Sequence, residues 1–496
     1  MGIVIRQSIK TAVVTFAGVF LGLIINLLSI RVFEKTDLGF TQNLIKASML
    51  LCYFAILGFN STLVIYGQKY HREHPKRASF LTISIIVPLL SLTVITLLYF
   101  IFKDKVIHMY HSGDELLMAR YYILFPLLTL LVSIILWMEG YLQSIYKTAI
   151  QSFAREILNR LIYLALIFLY AYHLINFDTF IWWYVLLYLV PIVYLAYFIY
   201  RFDGFKFGYT KGDFTNREIL RIISFAFNQT FVVISAVLII QIDTILIGPL
   251  AYNGLEAIAI YGTAAFAISV IKNPIRALSL SALPSLSDAY QKAQLKKLRA
   301  NFIKSASVMQ LLVLFLSVGI LLCANEIQYL INLLKPGYES VSHIMLILLI
   351  GHVIDVLGGL SLEVLTLSKY YLYNTLFSFS SLIVIVILIY NWIDVYGLQG
   401  VAWASSIGMV MYAVLKSVFL YRKLGIQPYT VNTLKIAGIS IVALAACYFL
   451  NLFSNPICNM FLKGGIYSIL FLGLSMRLKI SEEFNELVKK YLPFIK

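Results

Sequence analysis

Long apolar stretches recur from one end of this 496-residue chain to the other. Each stretch holds about 18–25 residues, which as an α-helix crosses the roughly 30 Å hydrocarbon core of a bilayer. The sequence therefore predicts an all-α polytopic membrane protein. We predict fourteen transmembrane helices, at 11–31, 42–66, 79–102, 119–140, 157–173, 180–200, 223–248, 257–279, 305–323, 342–365, 374–391, 399–420, 435–452 and 464–479.

Basic residues collect in every second gap between these stretches. The chain carries a formal net charge of +16, although only 12% of its residues are charged and 61% are hydrophobic. An excess of Lys and Arg is typical of the cytoplasmic loops of membrane proteins, and both termini fall on the basic side. We therefore expect both termini in the cytoplasm. Without an RNA- or DNA-reading motif, the charge does not indicate nucleic-acid binding.

A weak internal repeat predicts the domain organisation. The connections after spans 1 and 7 each carry an acid, Asp37 or Glu256, a few residues before an aromatic side chain, Phe40 or Tyr261. Two pseudo-symmetric six-helix lobes account for this pattern, an architecture found in transporters. The predicted divisions are an N-terminal lobe at 1–200, a basic cytoplasmic linker at 201–222, a C-terminal lobe at 223–421, two extra transmembrane helices at 422–480 and an amphipathic cytoplasmic tail at 481–496.

The segment from Gln241 to Leu298 resembles the start of the second lobe in polysaccharide flippases. The matching features are Asp243 followed by Gly248, then AIAIYGTAAF, Pro274 and ALPSLSDAYQKAQLKKL. The first pair of spans, with its Gly39-Phe40 and the stretch from Gly58 to Tyr66, resembles the start of the first lobe. With the fourteen-span plan, nearly the whole chain resembles the Wzx-type O-antigen flippases of the multidrug/oligosaccharidyl-lipid/polysaccharide (MOP) exporter superfamily.

This resemblance implies a function and partners. A flippase of this type moves an undecaprenyl-diphosphate-linked oligosaccharide from the inner to the outer leaflet of the bacterial cytoplasmic membrane. It works by alternating access and serves the biosynthesis of O-antigen, capsule or exopolysaccharide. The resemblance also implies polysaccharide polymerase and chain-length proteins as partners. Peptidoglycan lipid-precursor flippases and the multidrug MATE exporters are relatives, so both remain alternative functions.

The diphosphate of such a substrate needs cations within the membrane. Lys46 lies inside span 2 and Arg31 ends span 1, while Lys272 and Arg276 share one face of span 8 because they are four residues apart. A charge at the centre of a span costs about 2.5–3.5 kcal/mol on insertion scales and usually faces a cavity. We predict that these four residues bind the diphosphate. The alternative, which applies also to Lys416, is extension of the side chain toward lipid headgroups.

Three acidic residues inside spans are candidates for coupling transport to an ion. Asp243 lies in span 7, and Asp355 and Glu363 lie in span 10. Such carboxylates often serve proton relays or cation sites, and the alternative is pairing with a neighbouring lysine or arginine. Some related lipid flippases hold sodium against an acid on the seventh span. Their partner acid on the eleventh span is missing here, where span 11 offers only Asn374 near its start.

An enzyme is the third class of function that the sequence addresses. No loop approaches the roughly 50 residues that a compact catalytic domain needs. The chain also lacks a Walker A motif, a nucleophile elbow and a metal-binding histidine motif. We therefore expect neither enzymatic activity nor a resident cofactor or metal, apart from proton or sodium coupling.

Overall fold

The computed structural model describes residues 3–71, 73–203, 207–210, 212–450, 452–478 and 480, and every regular element within them is helical. The all-α fold predicted from the sequence is therefore confirmed. The predicted amphipathic tail at 481–496 lies outside the described residues. The chain divides into two compact units, Met1–Gly262 and Thr263–Lys496, and this division falls within a helix. The predicted lobe boundaries near residues 200 and 223 remain a prediction.

The first unit contains twelve complete helices, a π-helical turn and the start of a thirteenth helix. They are α1 (Ile3–Val32), α2 (Lys35–Ala55), α3 (Phe59–Lys69), α4 (Arg77–Ile101), α5 (Lys103–His108), α6 (Ser112–Arg120), α7 (Leu124–Ser144), α8 (Thr148–Phe153), the π turn (Ala154–Leu158), α9 (Asn159–Ala171), α10 (Phe177–Leu186), α11 (Leu189–Asp203), α12 (Asn216–Leu250) and α13 (Gly254–Gln291).

The second unit begins within α13 and continues with seven further helices. They are α14 (Leu295–Leu322), α15 (Ala324–Leu334), α16 (Val341–Leu357), α17 (Ser361–Leu367), α18 (Tyr371–Leu424), α19 (Val431–Tyr448) and α20 (Pro456–Arg477).

Nine helices of the described part are long and apolar enough to cross a membrane, and two bent helix pairs raise that number to eleven. Every one of the fourteen predicted spans lies mainly on helix, but length and composition do not reproduce the count of fourteen. One reason is that the 54 residues assigned to α18 contain a non-helical Gly397, which separates two helical segments that each match one predicted span. Another is that the predicted span at 157–173 belongs to a continuous helical run through α8, the π turn and α9, none of which alone is long enough to cross the hydrocarbon core.

Two glycines interrupt the helices at defined points, Gly58 inside the predicted span 42–66 and Gly397 between the predicted spans 374–391 and 399–420. Gly58 separates α2 from α3 with a φ of +65°, and the two helices meet at 45°. Gly397 interrupts α18 with a φ of +57°. Positive φ is favourable only for glycine among the common residues, so each position allows a change of direction inside a long apolar run.

Each unit has its own apolar core. In the first unit, α3, α4, α7, α11 and α12 pack around large buried side chains such as Phe59, Phe80 and Tyr141. In the second unit, α19 and α20 pack on α14 through Tyr467 and Phe471. The two C-terminal helices are thus an integral part of the second unit. Outward faces remain apolar, as on α4, where Leu90 and Leu97 are exposed, which is the pattern expected next to lipid.

Candidate functional site

Lys46 is held by a hydrogen bond inside the first unit. Its position on α2 is half-buried, and its Nζ donates to the Oγ1 of Thr244 on α12 at 2.8 Å. The positive charge of Lys46 is also attracted by the neighbouring carboxylate of Asp243. An ammonium within a span is costly unless it is paired or hydrated, and these two neighbours reduce that cost. Lys46 is therefore a positioned cation and does not extend freely toward headgroups.

Asp243 on α12 is the acidic residue next to Lys46. The residue is only 8% exposed, and its Oδ2 accepts a hydrogen bond of 2.6 Å from the Oη of the buried Tyr261 on α13. Its Oδ1 accepts from the backbone N–H of Thr244 at 2.6 Å. Helices α2, α12 and α13 thus bring together a lysine, a carboxylate, a phenol and a hydroxyl. We call Lys46, Asp243, Thr244 and Tyr261 the first-unit polar cluster.

Close backbone packing sets the register of these helices. A Cβ atom at Gly39 on α2 would lie 1.7 Å from the carbonyl oxygen of Leu255 on α13. The backbone N–H of Leu255 in turn donates to the Oδ2 of Asp114 on α6 at 2.9 Å. Gly39 and Leu255 belong to the two connections that form the weak sequence repeat. These corresponding segments therefore contact each other directly.

A second polar cluster lies in the second unit. The Nζ of Lys416 on α18 is 2.8 Å from the Oδ1 of Asp355 on α16, and it also lies 3.9 Å from the ring centroid of Tyr412. The Oη of Tyr412 donates to the Oδ1 of Asn374 at 2.8 Å. Glu363 on α17 interacts electrostatically with both Lys416 and Asp355. We call Lys416, Asp355, Tyr412, Asn374 and Glu363 the second-unit polar cluster.

The extension of Lys416 toward headgroups, one of the alternatives considered from the sequence, is wrong. The residue is 4% exposed and its ammonium is bound to Asp355. A buried charge needs a counter-charge and further partners, and the Tyr412 ring provides a cation–π contact in addition to the carboxylate. Asp355 is therefore paired with a neighbouring cation, the alternative to ion coupling that the sequence left open.

The other predicted diphosphate ligands have different surroundings. Arg31, in the last turn of α1, is exposed. On α13, Lys272 is half-buried and interacts electrostatically with His352 of α16, whereas Arg276 is exposed. The structure brings Lys46 and Asp243 together and leaves Arg31 outside the first-unit polar cluster. Substrate binding by Arg31, Lys46, Lys272 and Arg276 remains a prediction.

Several partners of these charges are not predictable from their own sequence context. Tyr261 and Tyr412 are two among many tyrosines, and only the helix register brings them to Asp243 and Lys416. The same holds for the ion pair of Arg155 with the buried Glu139, which joins the π turn to α7. A π turn inside an apolar helix often accompanies a functional or strained position. No periodicity in the sequence indicates it.

The architecture defines the class of protein, a multi-span all-helical membrane protein. A sequence model of the polysaccharide biosynthesis protein family matches residues 4–290. The match covers more than half of the chain, so the chain belongs to this family. No curated protein sequence matches the chain significantly.

Solved structures share the fold. The lipid II flippase MurJ, in an inward closed conformation, superposes with a TM-score of 0.76 at 15% identity, covering 95% of this chain and 99% of that chain. An inward-facing multidrug resistance MATE transporter gives 0.66 at 15% identity, with coverages of 84% and 98%. A MOP superfamily transporter from Pyrococcus furiosus gives 0.61 at 16% identity, with coverages of 85% and 95%. At these identities the likeness concerns the fold alone.

Proposed function

We propose that the protein is a flippase for an undecaprenyl-diphosphate-linked oligosaccharide. It moves this lipid from the inner to the outer leaflet of the bacterial cytoplasmic membrane by alternating access, with both termini in the cytoplasm. The product serves a cell-surface polysaccharide such as O-antigen, capsule or exopolysaccharide. Membership of the polysaccharide biosynthesis family supports this assignment.

The observation that carries the proposal is the positioned ammonium of Lys46 inside α2. The hydrogen bond to Thr244 and the electrostatic attraction to Asp243 keep this charge within the span. A diphosphate is the stronger anion and takes over the ammonium from Asp243 when it enters. Arg31, Lys272 and Arg276 supply further positive charge along the substrate's route.

Coupling to an ion follows from the same exchange. When the diphosphate takes Lys46, the attraction between Lys46 and the Asp243 carboxylate weakens, and Asp243 becomes able to bind a proton or sodium ion. Asp355 and Glu363, which share Lys416 in the second-unit polar cluster, are the corresponding acids of the other unit.

A peptidoglycan lipid-precursor flippase is the second candidate function. The superposition with MurJ covers 95% of this chain, whereas the superposition with the MATE transporter covers 84%. Both superpositions concern the fold alone, so the transport assay decides between a lipid flippase and a MATE-like exporter of organic cations. The diphosphate chemistry at Lys46 is the same for both lipid substrates, so the glycan distinguishes them.

The test is flipping in proteoliposomes that contain the purified full chain. Wild type is compared with Lys46→Gln, Lys46→Arg and Lys423→Gln, the last removing an exposed charge at the end of α18. We expect flipping of undecaprenyl-diphosphate oligosaccharide by wild type and Lys423→Gln. Lys46→Gln should reduce the rate at least roughly tenfold, the loss of about one charge-assisted hydrogen bond, with partial recovery in Lys46→Arg.

Three other outcomes contradict parts of the proposal. Equal flipping by Lys46→Gln and wild type would remove Lys46 from the substrate route while keeping the function. Flipping of lipid II but not of the oligosaccharide lipid would establish the second candidate. Export of organic cations without lipid flipping would establish a MATE-like exporter.

A further inference from the structure

Two cavities open along one face of α7 in the first unit, and neither takes part in the proposed exchange at Lys46. The first is polar, with a volume of about 390 Å³, and lies where α3 and α7 end and α4 begins. Its charged lining comes from Arg77, Lys147 and His71, and no carboxylate from the described part of the chain lines it. Small-molecule sites usually have volumes of about 300–1,000 Å³. We call it the cationic cavity.

Arg77 is held beside the cationic cavity by hydrogen bonds to two tyrosines. The residue is 8% exposed, and its guanidinium donates to the backbone oxygen of Tyr70 at 3.1 Å and to the Oη of Tyr141 at 2.9 Å. Lys147 lies beside the cavity with its Nζ 4.5 Å from the ring centroid of Phe202. A guanidinium and an ammonium that converge on one cavity are the groups that proteins use to bind phosphate.

The second cavity is apolar and has a volume of about 280 Å³. It lies between α4 and α7, where its lining includes Pro88, Leu89, Ile134 and Trp137. Leu89 is 54% exposed, so this cavity opens sideways toward the surroundings of α4. Because α4 is one of the membrane-spanning helices, those surroundings are lipid. We call it the apolar cavity.

The two cavities follow one another along α7. Ile134 and Trp137 line the apolar cavity, Ser144 lines the cationic cavity, and Tyr141 lies between them on the same helix face. The rings of Trp137 and Tyr141 lie 5.7 Å apart, and Tyr141 in turn accepts the hydrogen bond from Arg77. The two cavities together therefore offer a charged end and an apolar end, in the order of a lipid's headgroup and tail.

We propose that the two cavities form one binding site for an anionic membrane phospholipid. The phosphate lies against Arg77 and Lys147, and an acyl chain runs past Trp137 to Leu89. The charged end lies among helix ends that the distribution of basic residues predicts to be cytoplasmic, where the membrane surface carries anionic headgroups. The apolar cavity favours a lipid over free phosphate because only a lipid fills both.

Thermal unfolding of the purified full chain in detergent tests this site. Phosphatidylglycerol, phosphatidylcholine and inorganic phosphate are titrated separately into wild type and three variants. Lys147→Gln removes a charge from the cationic cavity, and Ile134→Trp fills the apolar cavity. Lys423→Gln removes an exposed charge elsewhere and is the control. The unfolding temperature of each variant without lipid reports whether it folds.

Phosphatidylglycerol should raise the unfolding temperature of wild type and Lys423→Gln at concentrations where phosphatidylcholine has no effect. Lys147→Gln and Ile134→Trp should each need roughly tenfold more phosphatidylglycerol for the same rise. The first variant loses about one charge-assisted contact with the phosphate, and the second loses the space for the acyl chain. An equal effect of inorganic phosphate would overturn the lipid and leave a free-anion site. Equal responses to the two lipids, or an equal loss in Lys423→Gln, would overturn the site altogether.

Discussion

At the scale of single residues, the charged side chains inside these helices compensate one another locally. Lys416 and Asp355 are 2.8 Å apart, and the ammonium is almost fully buried. Removing one member of such a pair is expensive because the other charge stays buried, whereas replacing both with apolar side chains is often neutral. The structure thus makes different predictions for the single and the double variant.

Asp355→Asn should lower the free energy of unfolding by about 3 kcal/mol, since Lys416 loses the carboxylate that it contacts directly. The double variant Asp355→Leu/Lys416→Met should recover most of this loss. Denaturation of the purified protein in mixed micelles measures both. Equal destabilisation by the single and the double variant would show that the packing, and not the charge, is what Asp355 supplies.

Asp114 provides a pH dependence outside the membrane spans. Burial raises the pKa of its carboxyl, and the hydrogen bond from the Leu255 N–H opposes that rise. The folded protein therefore favours the protonated acid, so this contribution to stability is present at low pH and is lost as the pH rises through the raised pKa. Asp114→Asn keeps an acceptor for Leu255 and cannot deprotonate to a buried charge as the pH rises.

We expect the unfolding temperature of Asp114→Asn, relative to wild type, to increase from pH 4 to pH 7. Asp394→Asn, which removes an exposed carboxylate, controls for the change in net charge. Unfolding curves across this pH range give the comparison. A difference that stays constant with pH would contradict the role assigned to burial of Asp114.

The sequence identifies charges within spans but not their partners. Lys46, Asp243 and Asp355 are visible as charged residues in apolar runs, because position alone reveals them. Tyr412 and Thr244 are not, since their roles depend on which helix face meets which neighbour. Lys416 shows the same limit, because its partner is 61 residues away in the chain.

At the scale of helices, a glycine can divide one predicted span into two helices. The apolar run at 42–66 predicts one span, and the structure divides it at Gly58 into α2 and α3. Glycine inside an apolar run also occurs in unbroken helices, so the sequence alone does not indicate this bend. What distinguishes Gly58 is tertiary, because a Cβ there would lie 2.3 Å from the carbonyl oxygen of Ala226 on α12.

Gly58→Ala should therefore destabilise the protein by about 2 kcal/mol or more, through the positive φ and the contact with α12. Gly438→Ala is the matched control, because nothing lies within 4 Å of a Cβ at Gly438 in α19. The control should be neutral or slightly stabilising, since alanine favours a helix interior. Similar unfolding temperatures for the two variants would contradict a structural role for the bend.

At the scale of the whole molecule, two sequence features predict most of the architecture. The recurring apolar stretches predict the all-α membrane fold, and the diffuse motifs predict the superfamily, which the family match at 4–290 supports. Helix length alone yields fewer than fourteen spans, because Gly397 separates two segments within α18 and the π turn divides the helical run that ends in α9. Orientation depends only on the distribution of basic residues, and it needs a separate test.

The cysteines of this chain offer that test without disturbing the fold. Cys52, Cys323 and Cys447 are buried, and Cys458 is exposed in the first turn of α20. With both termini in the cytoplasm, the connection between α19 and α20 faces outward. A membrane-impermeant maleimide should therefore label intact cells expressing wild type, and Cys458→Ser should abolish the label.

In a Cys458→Ser background, Lys423→Cys at the end of α18 should react only after the membrane is permeabilised. The opposite pattern would invert the orientation and place the cationic cavity beside Arg77 at the outer face.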